Sequence, residues 1–155
     1  MKSLYMVSGS SAETQSLGER IGRKLDSKFL IGLSGELGSG KTSFVQGLAR
    51  GLDVPESYYI TSPTYLIIHE YPGRIPLFHI DLYRIRSMSE IEEMGLYEII
   101  DRFGIFAIEW PGFVIKDSDE DFLLIHFEIV DDDKRKIEIT ARGERSAELM
   151  KELKK

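Results

Sequence analysis

The sequence predicts an α/β fold with a central mixed sheet, helices on its faces and added antiparallel strands. The apolar run 29–34 leads through a glycine-rich stretch into helical spacing, which is typical of a buried strand followed by a helix. A second apolar run, 105–108, ends in an acid. Apolar and polar residues alternate in 122–130 and 136–141, which indicates two strands joined through the acidic turn 131–133.

Length and composition limit the possible functions. The 155 residues favour a single domain, residues 1–155, with a sizeable core. The net charge of −6 argues against direct binding of nucleic acid, because such binding needs clustered Lys and Arg. The chain has no cysteine, which excludes disulfides, thiolate metal sites and a cysteine nucleophile. The apolar run 4–7 is too short for a signal peptide, and no run approaches the roughly 20 residues of a membrane helix, so we expect a cytoplasmic protein.

The N-terminal region predicts a short edge strand at 4–7 and then an amphipathic helix. Ser10 and Glu13 have the spacing of a capping box. An apolar stripe at helical spacing follows, formed by Leu17, Ile21 and Leu25. Gly18 and Gly22 lie on the same face and permit close packing against a neighbour.

Residues 35–42 fit the phosphate-binding motif G-x-x-x-x-G-K-[ST]. Its glycines let successive N–H groups point inward around phosphate oxygens, and the following helix adds its N-terminal dipole. Lys41 is predicted to reach the β- and γ-phosphates, and the Thr42 hydroxyl to take one Mg²⁺ position. The sequence therefore predicts a P-loop NTPase domain that binds ATP and Mg²⁺. The nucleotide-binding residues predicted in this segment are Gly35, Glu36, Leu37, Gly38, Ser39, Gly40, Lys41, Thr42 and Ser43.

Three hydroxyl residues surround a proline in the next segment, Thr61, Ser62, Pro63 and Thr64. One interpretation is a turn leading into a strand at 65–71, because such residues dominate turns. The other is a switch segment that senses the γ-phosphate and the metal.

A hairpin turn at 71–74 and a strand at 75–82 are predicted next. Alternation places His79, Asp81 and Tyr83 on one face of that strand. A lone buried histidine is usually a hydrogen-bonded core group, whereas Asp81 is a candidate ligand because a Mg²⁺–phosphate site needs carboxylates. Arg84 is either one half of a surface ion pair or a positive group that faces phosphate or a partner.

Ser89 and Glu92 again have capping-box spacing and predict a helix. Glu109 follows the run 105–108 in the Walker B pattern, in which a buried strand delivers a carboxylate to the metal; the alternative is a strand-end glutamate in solvent. Trp110, the only tryptophan, is predicted to pack on the nucleotide, on a partner or in the core. A terminal helix is expected over 146–155.

Two other nucleotide-dependent classes are disfavoured. The guanine-reading element Asn/Thr-Lys-x-Asp of Ras-type GTPases is absent, and the D-x-x-G match at 101–104 ends a helical pattern, so we regard it as coincidental. A small-molecule P-loop kinase would carry an arginine-bearing lid. The middle of this chain has only Arg74, Arg84, Arg86 and Arg102, which weakens that alternative without removing it.

The P-loop at 35–42, the 61–65 segment, the 79–84 strand end and Glu109-Trp110-Pro111 together resemble the TsaE family. The resemblance runs from about Thr14 to Trp110. The family comprises small bacterial ATPases of tRNA threonylcarbamoyladenosine biosynthesis. It implies slow ATP hydrolysis that depends on two partner proteins, TsaD and TsaB, which modify the adenosine next to the anticodon. In this interpretation the protein regulates or resets the TsaD–TsaB pair and meets tRNA only through it.

The resemblance also implies roles for individual residues. Glu109 becomes a metal-side ligand, and Asp81 a second catalytic carboxylate near Mg²⁺ or the attacking water. Thr14 is placed near the nucleotide and Arg135 near the base. Ser43 departs from many members, which have a second threonine there. Residues assigned to the switch or to partner contact are Thr61, Ser62, Pro63, Thr64, His79, Tyr83, Arg84 and Trp110.

Overall fold

The computed structural model describes residues 2–61, 68–110 and 120–154, which form seven strands and five helices. Their bounds in chain order are β1 Lys2–Ser8, α1 Ser11–Lys24, β2 Phe29–Gly35, α2 Lys41–Gly51, β3 Ile68–Tyr71, β4 Leu77–Asp81, α3 Met88–Glu93, α4 Leu96–Ile100, β5 Ile105–Glu109, β6 Phe122–Ile129, β7 Arg135–Arg142 and α5 Glu144–Leu153. No helix within the described ranges is both long and apolar enough to cross a membrane.

All seven strands join one sheet in the order β1-β7-β6-β2-β5-β4-β3. The four central strands β6, β2, β5 and β4 run parallel, and β3, β7 and β1 add antiparallel. This confirms the predicted α/β fold with a mixed sheet and added antiparallel strands. The carboxyl ends of the parallel strands share one edge of the sheet, and open α/β sheets bind ligands at that edge.

The core lies on both faces of the sheet. Helices α1, α2 and α5 cover one face, where Ile31, Leu33 and Ala107 are buried. Helices α3 and α4 cover the other, where Phe78 and Phe106 are buried and their rings stack. Because the central strands are covered on both sides, they read as nearly continuous apolar runs.

Helices α1 and α2 pack with their backbones close together. The predicted stripe of α1 is buried, and so are Gly18 and Gly22. A Cβ on Gly18 would lie 2.2 Å from the Phe44 carbonyl oxygen, and one on Gly22 would lie 2.7 Å from that of Leu48. The expectation that these glycines permit close packing is therefore confirmed.

Three local predictions need correction. Helix α3 is capped by the Ser87 hydroxyl, which accepts from the Glu90 N–H, and not by Ser89. Both serines have a glutamate three residues later, so spacing alone did not distinguish them. The Ser10 hydroxyl caps α1 as predicted. The Glu13 carboxylate, however, accepts from the Gly9 N–H and not, as a capping box requires, from the Ser10 N–H. Strand β4 begins at Leu77 and not at residue 75.

The D-x-x-G match lies at the edge of the sheet opposite the P-loop. Gly104, its last residue, accepts a hydrogen bond from Phe29 N–H at the start of β2. The P-loop follows the other end of the same strand. The match is therefore coincidental, as predicted.

The hairpin between β6 and β7 returns the chain to the P-loop edge. Because β6 is parallel to β2, its carboxyl end lies beside the P-loop. Asp131 closes the turn, since its Oδ1 accepts from the N–H groups of Asp133 and Lys134 at 3.0 and 2.9 Å. These bonds hold the pKa of the Asp131 carboxyl below its usual value. The turn delivers Arg135 to the same edge.

Candidate nucleotide-binding site

A cleft of about 570 Å³ opens at the carboxyl edge of the parallel strands. The P-loop, the ends of β4 and β5, the start of α1 and the β6–β7 turn all contribute to it. It brings together most of the residues that the sequence predicted for the site. Those that line it are Thr14, Leu37, Gly38, Gly40, Lys41, Thr42, Ser43, Asp81, Tyr83, Arg84, Glu109, Trp110 and Arg135.

The loop before α2 has a conformation that requires glycine. Gly38 and Gly40 have φ of +79° and +115°, in the left-handed region. Apart from Gly38 and its two chain neighbours, no described residue places an atom within 4 Å of the position that a Cβ on Gly38 would take, so the loop leaves room for a ligand there. Glu36 and Leu37 expose their side chains, and the Leu37 side chain is 93% exposed. Their contribution to a ligand site is therefore that of the backbone, which fits a phosphate cradle.

Lys41 is the first residue of α2 and is almost fully buried. Its Nζ donates to the Gly35 carbonyl oxygen, lies 4.0 Å from Glu109 Oε1, and stands 4.2 Å from the centre of the Trp110 ring. Burial lowers the pKa of this ammonium below its usual value, while the carboxylates of Glu109 and Asp81 oppose the change. The lysine is thus a desolvated positive charge in the cleft, the type of group that binds phosphate strongly.

Two carboxylates face the lysine from adjacent strands. Asp81 ends β4 and pairs in register with Glu109, which ends β5. Glu109 is 3% exposed, so the alternative of a glutamate in solvent is wrong. Burial raises the pKa of the Asp81 carboxyl; a hydrogen bond from Tyr83 N–H opposes the rise, and the Glu109 carboxylate adds to it.

His79 is completely buried beside these groups. Its Nε2 lies 2.8 Å from Glu109 Oε2. The expectation of a core histidine with its hydrogen bonds satisfied is therefore met at Nε2 only, since Nδ1 has no hydrogen-bond partner among the described residues. The assignment of His79 to direct contact with a partner is wrong, because none of its surface is accessible.

Aromatic and basic side chains form the mouth of the cleft. Trp110 has φ of +59°, which is unusual for any residue other than glycine. Its backbone N–H donates to the Leu33 carbonyl oxygen at 2.9 Å. This turn lays the ring over Lys41 and 5.5 Å from the ring of Tyr83, which is 69% exposed. Arg84 is exposed and forms no salt bridge within the described ranges.

Only the first residue of the predicted switch segment, Thr61, belongs to the described part of the chain. It is partly buried. Burial raises the pKa of the Tyr71 phenol, and the backbone of Thr61 opposes that rise. Ser62, Pro63 and Thr64 lie outside the described residues, as does Pro111.

The opposite end of the cleft is built by α1 and the β6–β7 turn. Thr14 is buried, and its hydroxyl bonds Ser8 Oγ at 2.8 Å. The hydroxyls of Ser43 and Ser11 lie 2.8 Å apart. Arg135 Nη2 donates to the Gly38 carbonyl oxygen at 3.2 Å, which ties the hairpin to the P-loop.

Four further residues line this end, and the sequence interpretation gave them no site role: Ser10, Ser11, Asp132 and Asp133. Ser10 was considered only as a helix cap, Ser11 was not singled out, and the acids were considered only as a turn. Their position depends on the sheet order, which brings both segments to the P-loop. The one signal in the sequence was their proximity to Thr14 and Arg135.

The site fits Mg²⁺ better than a metal held by the protein alone. Within the described residues, no group of three or more His, Cys, Asp or Glu side chains is arranged to hold a metal ion. Mg²⁺ in nucleotide sites usually takes one or two carboxylates and completes its shell with phosphate oxygens and water. Thr42, Asp81 and Glu109 line the cleft and match that pattern.

Comparison with known proteins supplies relatives for this site. The sequence model of the family described as threonylcarbamoyl adenosine biosynthesis protein TsaE matches residues 8–137. A protein of Treponema pallidum, named tRNA threonylcarbamoyladenosine biosynthesis protein TsaE, is 36% identical over 133 residues, covering 86% of this chain and 97% of its own. A Bacillus subtilis protein of the same name is 38% identical over 125 residues, covering 80% and 77%.

The fold also matches a solved structure. The crystal structure of YdiB from Bacillus subtilis superposes with a TM-score of 0.78 and 31% sequence identity. The match covers 99% of this chain and 95% of the other. The two sequence matches thus cover 80% to 86% of this chain, and the fold match covers 99%.

Proposed function

The chain belongs to the TsaE family, and from that membership we propose that it is a slow Mg²⁺-dependent ATPase serving tRNA threonylcarbamoyladenosine biosynthesis. The observation that carries the proposal is the meeting of four groups in one cleft. Lys41, Thr42, Asp81 and Glu109 come from three separate segments and line the same cavity. A P-loop lysine and hydroxyl opposite two strand-end carboxylates is the set that phosphoryl transfer requires.

Binding of ATP is assigned to the P-loop. The backbone of 35–40 cradles the phosphates, and Lys41 turns from the Gly35 carbonyl oxygen toward the β- and γ-phosphates. The lysine exchanges a hydrogen bond to a neutral carbonyl oxygen for bonds to anionic phosphate oxygens, in which both partners are charged. The ribose and base then extend toward Thr14, Ser43 and Arg135, where the cleft continues.

Hydrolysis is assigned to the two carboxylates. Thr42 and Glu109 would hold Mg²⁺, which would supply positive charge to offset that of the phosphate oxygens. Asp81 orients the attacking water in line with the γ-phosphate. Water adds to the γ-phosphorus, the bond to the β-phosphate oxygen breaks, and the products are ADP and phosphate.

Regulation of partners is assigned to the mouth of the cleft. We propose that Tyr83, Arg84, Trp110 and the 61–64 segment dock on the TsaD–TsaB pair when ATP is bound. The net charge of −6 supports an indirect contact with tRNA, through the pair. Because the mouth surrounds the γ-phosphate end of the cleft, ATP is expected to favour docking over ADP by about 1–3 kcal/mol.

The test combines hydrolysis and docking. Phosphate release from ATP is measured with and without Mg²⁺, for the chain alone and with TsaD and TsaB. Capture of the chain by immobilised TsaD–TsaB is compared under an ATP analogue, ADP and no nucleotide. Mg²⁺-dependent release that rises with the pair, and stronger capture under the analogue, would support the proposal.

Three other outcomes would contradict it. Transfer of phosphate to a small metabolite would favour the P-loop kinase alternative. ATP binding without hydrolysis in any condition would indicate a binding module whose nucleotide stabilises the fold. Tight, salt-sensitive binding of tRNA by the isolated chain would contradict the indirect role.

A further inference from the structure

His79 is a buried polar residue in the site that the proposed mechanism does not use. It lies on β4 with no accessible surface, and its Nε2 is 2.8 Å from Glu109 Oε2. Glu109 Oε1 faces the other way, 4.0 Å from Lys41 Nζ. The imidazole therefore contacts one carboxylate oxygen, and the other oxygen is directed into the site.

The register of the sheet makes this contact possible. His79 lies directly opposite Ala107, and Asp81 lies opposite Glu109. The imidazole must therefore reach diagonally, past residue 107, to Glu109. Ala107 is the smallest side chain on β5 and leaves the room that this reach needs. Its neighbours Phe106 and Ile108 point to the other face of the sheet.

The chemistry of the contact defines the tautomer of the ring. A carboxylate only accepts hydrogen bonds, so Nε2 of His79 is the donor in this contact. Nδ1 of the same ring has no hydrogen-bond partner among the described residues. A buried polar atom without a partner costs stability, and an apolar side chain would avoid that cost. The histidine is thus poorly explained by packing and well explained by its bond to Glu109.

We propose that His79 is the positioning residue of Glu109. Its Nε2–H fixes Oε2, so that Oε1 is held toward Lys41 and the metal position before Mg²⁺–ATP arrives. This inference rests on the proposed metal role of Glu109. Ligating carboxylates are commonly held by such outer hydrogen bonds, and loss of one typically lowers metal affinity or activity by about 10- to 100-fold.

Two substitutions separate positioning from packing. His79→Leu fills the space without a donor, whereas His79→Gln offers an amide N–H in place of Nε2–H. The matched control is His69→Leu. His69 pairs with His79 across β3 and β4, but its Nδ1 contacts the Tyr71 hydroxyl and not Glu109.

The kinetic measurement is the Mg²⁺ concentration that gives half-maximal ATP hydrolysis, together with ATP affinity in the absence of metal. His79→Leu is expected to raise that concentration or lower turnover by about 10- to 100-fold, with metal-free ATP affinity changed less than about threefold. His79→Gln is expected to recover at least about fivefold of the loss, and His69→Leu to stay within about twofold of the parent. Equal losses in the Leu and Gln variants that follow their unfolding temperatures would overturn the proposal.

A second measurement does not depend on activity. Nitrogen-15 NMR of the imidazole rings distinguishes protonated from bare nitrogens, and the three histidines are assigned by substitution. We expect protonated Nε2 in His79, with a proton that exchanges slowly in the parent and rapidly in Glu109→Ala. A bare Nε2, or exchange unaffected by Glu109→Ala, would overturn the proposal. If the chain proves not to hydrolyse ATP while the NMR result is as expected, the pair stands and the proposed function fails.

Discussion

The chain uses glycine in two regions for opposite purposes. Between α1 and α2, glycine allows contact: a Cβ on Gly47 would lie 1.9 Å from the Gln15 carbonyl oxygen, and one on Gly51 would lie 2.4 Å from that of Glu19. In the P-loop, glycine allows space and an unusual backbone: Gly38 has φ of +79°, and a Cβ there would meet no atom of the described residues beyond its chain neighbours within 4 Å. In the first region, backbone atoms of the facing helix occupy the space that a side chain would need. In the second, that space is open.

The difference shows where the fold gains stability and where it gives stability up. Close packing of two helices gains dispersion and apolar burial. The site instead buries Lys41, His79 and Glu109, which are costly to desolvate even when paired. Helix α2 belongs to both regions, since Lys41 begins it and Gly47 lies on its packed face. The packed α1–α2 interface therefore fixes the start of α2, and with it a site whose buried polar and charged side chains lower the stability of the fold.

The largest expected effect belongs to the site. Glu109→Gln keeps the volume and an oxygen that accepts from His79, but it removes the negative charge beside Lys41. We expect ATP turnover to fall by about 100-fold, or roughly 2.7 kcal/mol of transition-state stabilisation. Urea unfolding should change by less than about 1 kcal/mol, because the hydrogen bond remains.

The control for Glu109→Gln is Glu70→Gln, on the exposed edge strand β3. Its turnover should equal that of the parent. If Glu109→Gln hydrolyses ATP normally, the metal-side role belongs to another residue. If it unfolds much more easily than the parent, the carboxylate is a structural group and the contrast between the two regions fails.

The second prediction compares one substitution in the two regions. Gly47→Ala should lower the free energy of unfolding by about 2 kcal/mol, because a methyl group cannot fit against the α1 backbone. Gly38→Ala should cost only about 1 kcal/mol, from the left-handed backbone alone, since the space is open. Denaturant unfolding measures both. Equal losses in the two variants would contradict the distinction between a packed region and an open one.

Third in size is the loss of the lysine. Lys41→Ala should weaken ATP binding at least tenfold, since a charged hydrogen bond contributes about 1.5–3 kcal/mol. Calorimetric titration measures the affinity. Lys151→Ala, at an exposed site on α5, should bind like the parent. Unchanged affinity in Lys41→Ala would remove the phosphate role from the loop.

The smallest expected effect is a gain in stability. The pKa of Asp81 is raised by burial and by Glu109, so the folded chain binds this proton more tightly than the unfolded chain does. Proton binding by Asp81 therefore stabilises the folded chain at acidic pH. This contribution to the free energy of unfolding is lost as pH rises through the raised pKa of Asp81 in the folded chain. Asp81→Asn should therefore be more stable than the parent at neutral pH, by about 1 kcal/mol, while losing turnover.

Unfolding of Asp81→Asn and the parent across pH is the measurement. The stability difference should shrink toward acidic pH, where the parent carboxyl is neutral. A difference that is the same at every pH, or a variant less stable than the parent at neutral pH, would contradict the prediction.

Local patterns account for what the sequence predicted. The motif at 35–42 combines a short-range spacing with the strand and helix on its flanks, and all three are visible in neighbouring residues. Glu109 was identified because a buried run of four residues leads directly to it. Such signals depend on periodicity along one segment, which the fold then preserves.

What the sequence did not reveal depends on the order of the strands. The bond between His79 and Glu109 joins residues thirty positions apart, and the approach of Arg135 to Gly38 spans almost a hundred. Both require β4 beside β5 and β6 beside β2, which is set by packing of the whole sheet. The choice of Ser87 over Ser89 as the cap of α3 was missed for a smaller reason, because two equivalent spacings overlap there.

The position of Trp110 gives the protein a built-in optical signal. It is the only tryptophan in the chain, so fluorescence excited at wavelengths that tryptophan absorbs and tyrosine does not reports a single ring. That ring lies against the ammonium of Lys41 and beside Tyr83. A ligand that draws the lysine toward its phosphates removes a positive charge from the face of the indole and alters its emission. The occupancy of the cleft can therefore be followed in real time on the unlabelled protein.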